Sequence, residues 1–334
     1  MTSKNITVHA DSLPPADARP ILLVTGPVMP SVVEAQLADG FTLVGSGDFE
    51  GAVQEFGARV RGVLTRGAKP VSDALMARLP KLEIVANFGV GYDTVDAAAA
   101  GRRGVTVTNT PDVLNEEVAD LTLGLLLATV REIPQADRFV RAGKWKTGAY
   151  PLGTSLRTRK VGLVGMGRIG QAIARRLEAF GVPIAYHSRS PAAGIAYRHY
   201  PDLVSLARDV DTLILILPGG PATRGLVGRE VLAALGPDGI LINVARGSVV
   251  DEPALVDALV NRTILAAGLD VFADEPNVPD ALVGLDNVVL LPHIGSSTHH
   301  TRGAMGQLVV DNVANWFAGR GPLTAVPETP WPAA

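Results

Sequence analysis

The feature that most constrains the fold of this 334-residue chain is a glycine-rich turn between a strand and a helix. Lys160–Val164 is predicted to be the strand and Arg168–Phe180 the helix, and Gly165–Gly170 between them has the pattern G-x-G-x-x-G. The three glycines suit a tight turn, the approach of a pyrophosphate to the backbone, and close packing of helix on sheet. The segment therefore predicts a dinucleotide site contacted by Gly165, Met166, Gly167, Arg168, Ile169 and Gly170.

Short apolar runs alternate with helical patterns along the chain, which predicts an α/β fold with parallel sheets covered on both faces. A long helical region, Asn115–Gly143, is interrupted near Pro134. The polar stretch that follows it, Lys144–Arg159, is predicted to be an extended arm or crossover and not a core element. A last helix, Thr298–Ala318, precedes a Pro-rich tail, Val326–Ala334, that we expect to be loosely packed. The other predicted strands are Pro20–Thr25, Val60–Thr65, Glu83–Asn87, Val105–Thr108, Pro183–His187, Thr212–Leu217, Ile240–Val244, Leu265–Gly268 and Val288–Leu291. Further helices are predicted at Ser31–Ala38, Ser72–Leu79 and Thr94–Ala100.

The composition narrows the possible functions. A net charge of −3 gives no electrostatic basis for nucleic-acid binding or for an anionic membrane surface. The absence of cysteine excludes disulfides, thiolate nucleophiles and Cys-ligated metal. The polar segment Met1–Pro20 lacks the apolar core of a signal peptide, and Leu121–Val130 is shorter than the roughly 20 residues of a membrane span. We therefore expect a cytoplasmic protein.

The loop after the strand that follows the glycine turn predicts which dinucleotide binds. NAD enzymes usually carry an acidic residue there, which bonds the ribose 2′-hydroxyl. This chain instead has Ser188, Arg189 and Ser190. Because a guanidinium can grip a 2′-phosphate and a carboxylate would repel it, the loop favours NADP(H) over NAD(H).

Polar residues follow three successive strands in the second half of the chain, where open α/β sheets bind ligands. They are Arg246, then Asp270 with Glu275, and then His293 before a Gly-Ser turn. His293 lies between a strand end and the Gly-Ser turn, with a carboxylate and a guanidinium at corresponding strand ends, which favours a catalytic histidine over a structural one.

With these segments the chain resembles the D-isomer-specific 2-hydroxyacid dehydrogenases, most of all the NADPH-dependent glyoxylate/hydroxypyruvate reductases. The resemblance covers nearly the whole chain. The matching segments are Asn87–Asp96, Asn109–Asp120, Gly165–Gly170, Asn243–Gly247, Gly268–Pro276 and Pro292–Ser296. The resemblance implies a flavodoxin-like substrate domain, residues 1–114 and 298–334. A Rossmann NAD(P)-binding domain, residues 115–297, would be inserted in it, with a dimerisation segment at about 115–159.

The resemblance also implies the residue roles. Arg246 would hold the substrate's carboxylate and keto oxygen, Val90 and Gly91 would donate backbone N–H groups to that carboxylate, and His293, paired with Glu275, would be the acid. Asp270 would orient the nicotinamide carboxamide. Further cofactor contacts would be Leu217, Pro218, Thr223, Val244, Ala245, His293 and Gly295. No metal is expected.

Three expectations remain more open. Arg66 is a candidate contact for the distal end of the substrate, and a surface role is an equal alternative. Trp145 resembles a position that reaches the partner subunit's active site, which implies a homodimer; a simple interface aromatic is the alternative. The alternative functions are another dehydrogenase on the same scaffold, of the phosphoglycerate, formate or phosphite type, and a nucleotide-sensing binding module like the dehydrogenase-like corepressors. The residues after the last predicted helix are too few for a C-terminal regulatory domain, which disfavours the phosphoglycerate type.

Overall fold

The computed structural model describes residues 19–45, 47–67 and 69–331, so the segment Met1–Pro20 lies outside the described residues except for Arg19 and Pro20. The chain forms two compact units. The first unit is Met1–Leu114 with Thr298–Ala334, and the second unit is Asn115–Ser297.

The first unit contains a parallel sheet in the strand order β2-β1-β3-β4-β5, which is the flavodoxin-like order. Its strands are β1 (Ile21–Val24), β2 (Thr42–Val44), β3 (Val60–Thr65), β4 (Ile84–Asn87) and β5 (Thr106–Thr108). Its helices include α1 (Ala35–Leu37, after a π-helical turn at Pro30–Glu34), α2 (Phe49–Phe56), α3 (Asp73–Ala77) and α4 (Ala97–Arg102). Helices α2, α3 and α4 begin where the side chains of Asp48, Ser72 and Asp96 accept from backbone N–H groups, as N-caps do.

The second unit begins with two helices, α5 (Asn115–Val130) and α6 (Ile133–Arg141). The break between them lies at Arg131 and Glu132, and Glu132 has a left-handed backbone (φ 52°). Pro134 occupies the first turn of α6, where its missing N–H costs no hydrogen bond, so it starts the second helix. The predicted interruption is therefore confirmed.

A seven-stranded parallel sheet follows in the order β12-β11-β10-β9-β6-β7-β8, a Rossmann arrangement with one added strand. The strands are β6 (Val161–Val164), β7 (Ile184–His187), β8 (Arg198–Tyr200), β9 (Thr212–Leu215), β10 (Ile240–Asn243), β11 (Ala266–Leu269) and β12 (Val288–Leu290). The helices are α7 (Arg168–Glu178), α8 (Leu203–Asp209), α9 (Arg229–Leu235), α10 (Glu252–Val260) and α11 (Asp280–Val283). The predicted α/β class with parallel sheets is confirmed.

The central strand β9 shows how the second unit is packed. Leu213 and Leu215 lie in one hydrophobic cluster, and Ile214 between them lies in the other. Because consecutive strand residues point to opposite faces, each face of the sheet has its own core. Strand β9 is therefore buried on both faces of the sheet.

The chain returns to the first unit in helix α12 (His299–Phe317), which is N-capped by Thr298. The tail after it is not loosely packed: Val326 donates to the carbonyl of Val107 (2.9 Å), Thr329 Oγ1 accepts from the Val107 N–H (2.9 Å), and both are buried. The expectation was wrong because β5 is an edge strand whose backbone groups need partners, and the tail supplies them. Residues 332–334 of the predicted tail lie outside the described residues.

Candidate active site

At two positions, the glycine turn of the second unit has room for glycine only. Gly165 has φ +107°, and a Cβ there would lie 2.1 Å from the carbonyl oxygen of Ile216. A Cβ on Gly170 would lie 2.4 Å from the carbonyl oxygen of Gly165, so the helix could not approach the sheet. By contrast, a Cβ on Gly167 would meet nothing within 4 Å. The side of the turn at Gly167 is therefore open, and Gly167 is also the N-cap residue of the 11-residue helix α7.

This open side fits the pyrophosphate of a dinucleotide. The first N–H groups of a helix have no partner in the helix, and its dipole favours an anion. Arg168 and Ile169 are the first helical residues, and the side chain of Gln171 braces the turn by donating to the Met166 carbonyl (3.2 Å). The residues expected to contact the cofactor thus form one cradle.

The Ser188–Ser190 loop follows β7 and is fixed at both ends. The carbonyl oxygen of Ser188 lies 3.0 Å from His199 Nε2, and the N–H of Ala192 donates to the hydroxyl of Tyr186 (2.9 Å). The Ser188 hydroxyl donates to the carbonyl of Ser190 (2.6 Å), so it shapes the loop. Arg189 is exposed and has no ion pair within the described part of the chain.

The remaining predicted cofactor contacts lie in the turns after other strands of this sheet. Leu217, Pro218 and Thr223 follow β9, and the Thr223 hydroxyl donates to the Pro218 carbonyl (2.8 Å). Val244 and Ala245 are buried directly after β10, and Gly295 follows β12.

The turn that carries Arg246 is held by Asn243, the last residue of β10. The side chain of Asn243 accepts from the Ala245 N–H (3.0 Å) and donates to the Arg246 carbonyl (3.1 Å). A Cβ on Gly247 would lie 1.8 Å from the carbonyl carbon of Phe272, so this turn packs directly on the backbone after β11. The half-buried Arg246 side chain also donates to the Ala245 carbonyl (2.8 Å).

His293 and Glu275 form a direct pair. His293 Nδ1 lies 2.7 Å from Glu275 Oε2, and Glu275 Oε1 accepts from the Phe272 N–H (3.1 Å). Burial raises the pKa of Glu275, but the hydrogen bond and charge of His293, the Phe272 N–H and the charge of Arg246 outweigh it. The pKa of Glu275 is therefore lowered, and the group stays a carboxylate beside the imidazole.

Asp270 holds the turn on which His293 lies. Asp270 is 2% exposed, and its carboxylate accepts from the N–H groups of Ile294 (2.7 Å) and Gly295 (2.8 Å). Burial raises the pKa of Asp270 against the opposing effect of these two donors. His293 has a left-handed backbone (φ 53°), which is uncommon outside glycine and is held here by the flanking bonds. This positioning role of Asp270 was not predicted from the sequence.

In the first unit, Val90 and Gly91 lie in the turn after β4. Asn87 Nδ2 donates to the carbonyls of Gly89 and Gly91 (3.0 Å each), and Asn109 Nδ2 donates to the carbonyl of Val90 (2.9 Å). Within residues 19–45, 47–67 and 69–331, the N–H groups of Val90 and Gly91 donate to no protein acceptor. Asn87 and Asn109 were not predicted as site residues, although an amide at the end of a strand (Asn87) or directly after one (Asn109) was the available signal.

The two weaker candidates also have definite places. Arg66 follows β3, is exposed, and places its guanidinium 5.9 Å from the centre of the Phe88 ring. Trp145 is 68% exposed on a short 3₁₀ turn, Lys144–Lys146, that follows α6. Helix α6 buries none of its own side chains.

Two classes of site are not seen in the described part of the protein. No cluster of three or more His, Cys, Asp or Glu side chains that could hold a metal ion occurs among these residues. Over the same residues, no helix has the combination of length and apolar character that crossing a bilayer requires.

Comparison with known proteins agrees with this geometry. Residues 123–295, more than half of the chain, match the family model of the D-isomer specific 2-hydroxyacid dehydrogenase NAD binding domain. The chain belongs to the D-isomer specific 2-hydroxyacid dehydrogenase family. The resemblance stated from the sequence is thereby confirmed.

Several family members are similar over most of their length. A glyoxylate/hydroxypyruvate reductase A from Arabidopsis thaliana is 48% identical over 80% of this chain and 85% of its own. A 2-ketogluconate reductase from Gluconobacter oxydans is 42% identical over 92% and 99%. The crystal structure of an NADPH-dependent glyoxylate/hydroxypyruvate reductase from Sinorhizobium meliloti, in complex with NADP and malonate, is 53% identical and has a TM-score of 0.89 over 95% of this chain and 99% of that one.

Proposed function

We propose that the protein catalyses the NADPH-dependent reduction of small 2-oxo acids, such as glyoxylate or hydroxypyruvate, to D-2-hydroxy acids. The observation that carries the proposal is the 2.7 Å pair of His293 Nδ1 and Glu275 Oε2, beside an Arg turn and in the same unit as the glycine cradle. A 53% identical family member is an NADPH-dependent reductase whose crystal structure is a complex with NADP.

The proposed chemistry assigns the two ring nitrogens of His293 to different tasks. Nδ1 donates to Glu275, which leaves Nε2–H of the imidazolium to protonate the substrate's keto oxygen. The bound nicotinamide would supply the hydride to the adjacent carbon. Arg246 holds the substrate carboxylate and stabilises the negative charge that develops on the oxygen. The N–H groups of Val90 and Gly91 bind the same carboxylate, and Arg66 lies toward the distal end.

We assign the cofactor to the second unit, which also carries Arg246 and His293, and we assign Val90, Gly91 and Arg66 of the first unit to the substrate. Arg189 grips the 2′-phosphate, since its loop carries no carboxylate that would repel one. Asp270 still has lone pairs on both oxygens for the nicotinamide carboxamide. Leu217, Pro218, Thr223, Val244, Ala245 and Gly295 line the cofactor.

We also propose a cytoplasmic homodimer in which residues 115–159 form the interface and Trp145 reaches the partner's site. What supports this is that α6 buries none of its side chains and that Ile133, Val140, Trp145 and Leu152 are all exposed apolar groups. Such an apolar set on one segment is typical of an interface. Sedimentation of the wild type and of Trp145→Glu tests it: a monomeric wild type contradicts the dimer.

The function is tested by a panel of glyoxylate, hydroxypyruvate and pyruvate, each with NADPH and with NADH. We expect turnover with at least one acid, higher kcat/KM with NADPH, and a D product by chiral chromatography. Nucleotide binding without turnover of any 2-oxo acid would contradict the proposal and favour a binding module.

A further inference from the structure

Two arginines of the first unit share one aromatic ring. The guanidinium carbons of Arg66 and Arg302 lie 5.9 Å and 5.5 Å from the centre of the Phe88 ring. Arg66 follows β3, Phe88 follows β4, and Arg302 lies in the first turn of α12. A ring attracts a cation within about 6 Å of its centre, so both positive charges lie within the range of the Phe88 ring.

The arrangement is unfavourable for the two cations by themselves. Burial and the charge of Arg66 both lower the pKa of Arg302, which is half-buried. Arg66 has no ion pair with any described residue. Two neighbouring cations, one of them with restricted hydration, become favourable when an anion binds them both.

The other end of strand β3 provides a comparison. Arg59 directly precedes β3 and lies 5.4 Å from the centre of the Phe56 ring, so it has the same kind of contact as Arg66. No second guanidinium is recorded over the Phe56 ring among the described residues. The contact of one arginine with one ring therefore does not mark a site; the second guanidinium does.

The position of Arg66 and Phe88 in the sheet also supports a binding site. In the order β2-β1-β3-β4-β5 the connections reverse between β1 and β3, and ligands of such sheets bind beyond the carboxyl ends at that point. Thr25 Oγ1 donates to Thr65 Oγ1 (3.0 Å) where β1 and β3 end, and Arg66 is the next residue. The turn of Val90 and Gly91, our proposed site for the substrate's first carboxylate, begins two residues after Phe88.

We propose that Arg66, Phe88 and Arg302 form a subsite for a second carboxylate on the substrate, so that the enzyme accepts 2-oxo dicarboxylic acids. The subsite rests on the proposed reductase function and adds a substrate class to it. Each guanidinium offers a fork of donors that matches a carboxylate, and the first carboxylate remains with Val90, Gly91 and Arg246.

The test compares oxaloacetate with pyruvate, which differ only by the distal carboxylate. We expect the wild type to have the higher kcat/KM with oxaloacetate. Arg66→Gln and Arg302→Gln should each lower the oxaloacetate/pyruvate ratio of kcat/KM about tenfold, as the loss of a charge-assisted hydrogen bond does. Arg302→Lys, which keeps the charge, should retain more of the ratio than Arg302→Gln.

Arg59→Gln is the matched control, because it removes an arginine from a ring at the opposite end of the same strand. Its ratio should equal that of the wild type. An unchanged oxaloacetate/pyruvate ratio in Arg66→Gln overturns the subsite. Because Arg66 is exposed, its substitution should not disturb folding, so this variant tests the subsite even if Arg302→Gln fails to fold. Absence of turnover with every 2-oxo acid in the wild type would instead overturn the proposed function.

Discussion

The turn of His293 in the second unit and the turn of Val90 and Gly91 in the first unit are built with different chemistry. At the turn of His293 carboxylates do the shaping: Asp270 accepts from Ile294 and Gly295, and Glu275 pairs with His293. In the first unit, neutral amides do the same work, as Asn87 and Asn109 donate to the carbonyls of Gly89, Val90 and Gly91. Carboxylates favour a protonated imidazole, which suits the turn of His293. Beside the turn of Val90 and Gly91, which is proposed to bind the carboxylate of the substrate, they would repel that anion. The kind of residue that organises each turn thus fits the charge that the turn must handle.

The largest effect is expected from His293→Ala. We expect kcat to fall about 10²–10⁴-fold, as the loss of a positioned general acid does. NADPH affinity, measured by fluorescence titration, should change little. Equal losses in kcat and in NADPH affinity would contradict the acid role and point to a disturbed cofactor site.

Arg189→Asp should reverse the electrostatics of the Ser188–Ser190 loop. We expect the ratio of kcat/KM with NADPH to that with NADH to fall about 10–100-fold, since a charged hydrogen bond is lost and a repulsion gained. Arg208→Asp is the control, because Arg208 is an exposed arginine near the end of α8, a helix that returns to the amino ends of the strands. A preference altered equally by both substitutions would refute the assignment of Arg189.

Asn87→Asp tests whether the side chain that holds the turn of Val90 and Gly91 must be neutral. The carboxylate cannot donate to the carbonyls of Gly89 and Gly91 and adds a negative charge beside the proposed substrate loop. We expect KM for hydroxypyruvate to rise about tenfold or more, and kcat at saturation to be largely kept. Asn87→Ala, with the same lost bonds and no charge, should raise KM less; an equal rise would mean that charge is irrelevant there.

The smallest effect concerns pH. Because the pKa of Glu275 lies below its ordinary 4.5, the group is ionised at every pH above that value and loses its charge only on further acidification. The contribution of ionised Glu275 to stability and to the pair with His293 is therefore present above a pH of about 4.5 and is lost as the pH falls through the lowered pKa. The pH–kcat profile should show no acid limb from Glu275 above pH 4.5. A limb above that pH in the wild type that Glu275→Gln abolishes would contradict this.

Much of the fold followed from periodicity. The strand at Val60–Thr65 was predicted with its bounds as found, and the strand predicted at Thr212–Leu217 is β9, Thr212–Leu215, whose apolar residues are buried on both faces. The three-residue strands β2 and β8 and the short helix α11 were missed, since a few residues cannot establish a period. Helices α2, α8, α9 and α10, of seven to nine residues each, were also not predicted. The tail was misjudged because its proline content says nothing about the open edge of β5.

The charged residues of the candidate site were predictable from the sequence, but the hydrogen bonds that hold their turns were not. Arg246, Asp270, Glu275 and His293 stood out because charged residues follow successive strands. The bonds from Asp270 to the turn of His293, the amides of Asn87 and Asn109, and the charge of Arg302 beside Phe88 were not predicted. These depend on which turns meet in three dimensions, which one-dimensional spacing does not contain.

The most direct test of the account is one saturation curve with hydroxypyruvate at saturating NADPH, measured for the wild type, His293→Ala and Asn87→Asp. The account predicts that His293→Ala loses kcat at a KM near that of the wild type, and that Asn87→Asp keeps kcat and raises KM. Loss of kcat in Asn87→Asp with retention of kcat in His293→Ala would contradict it.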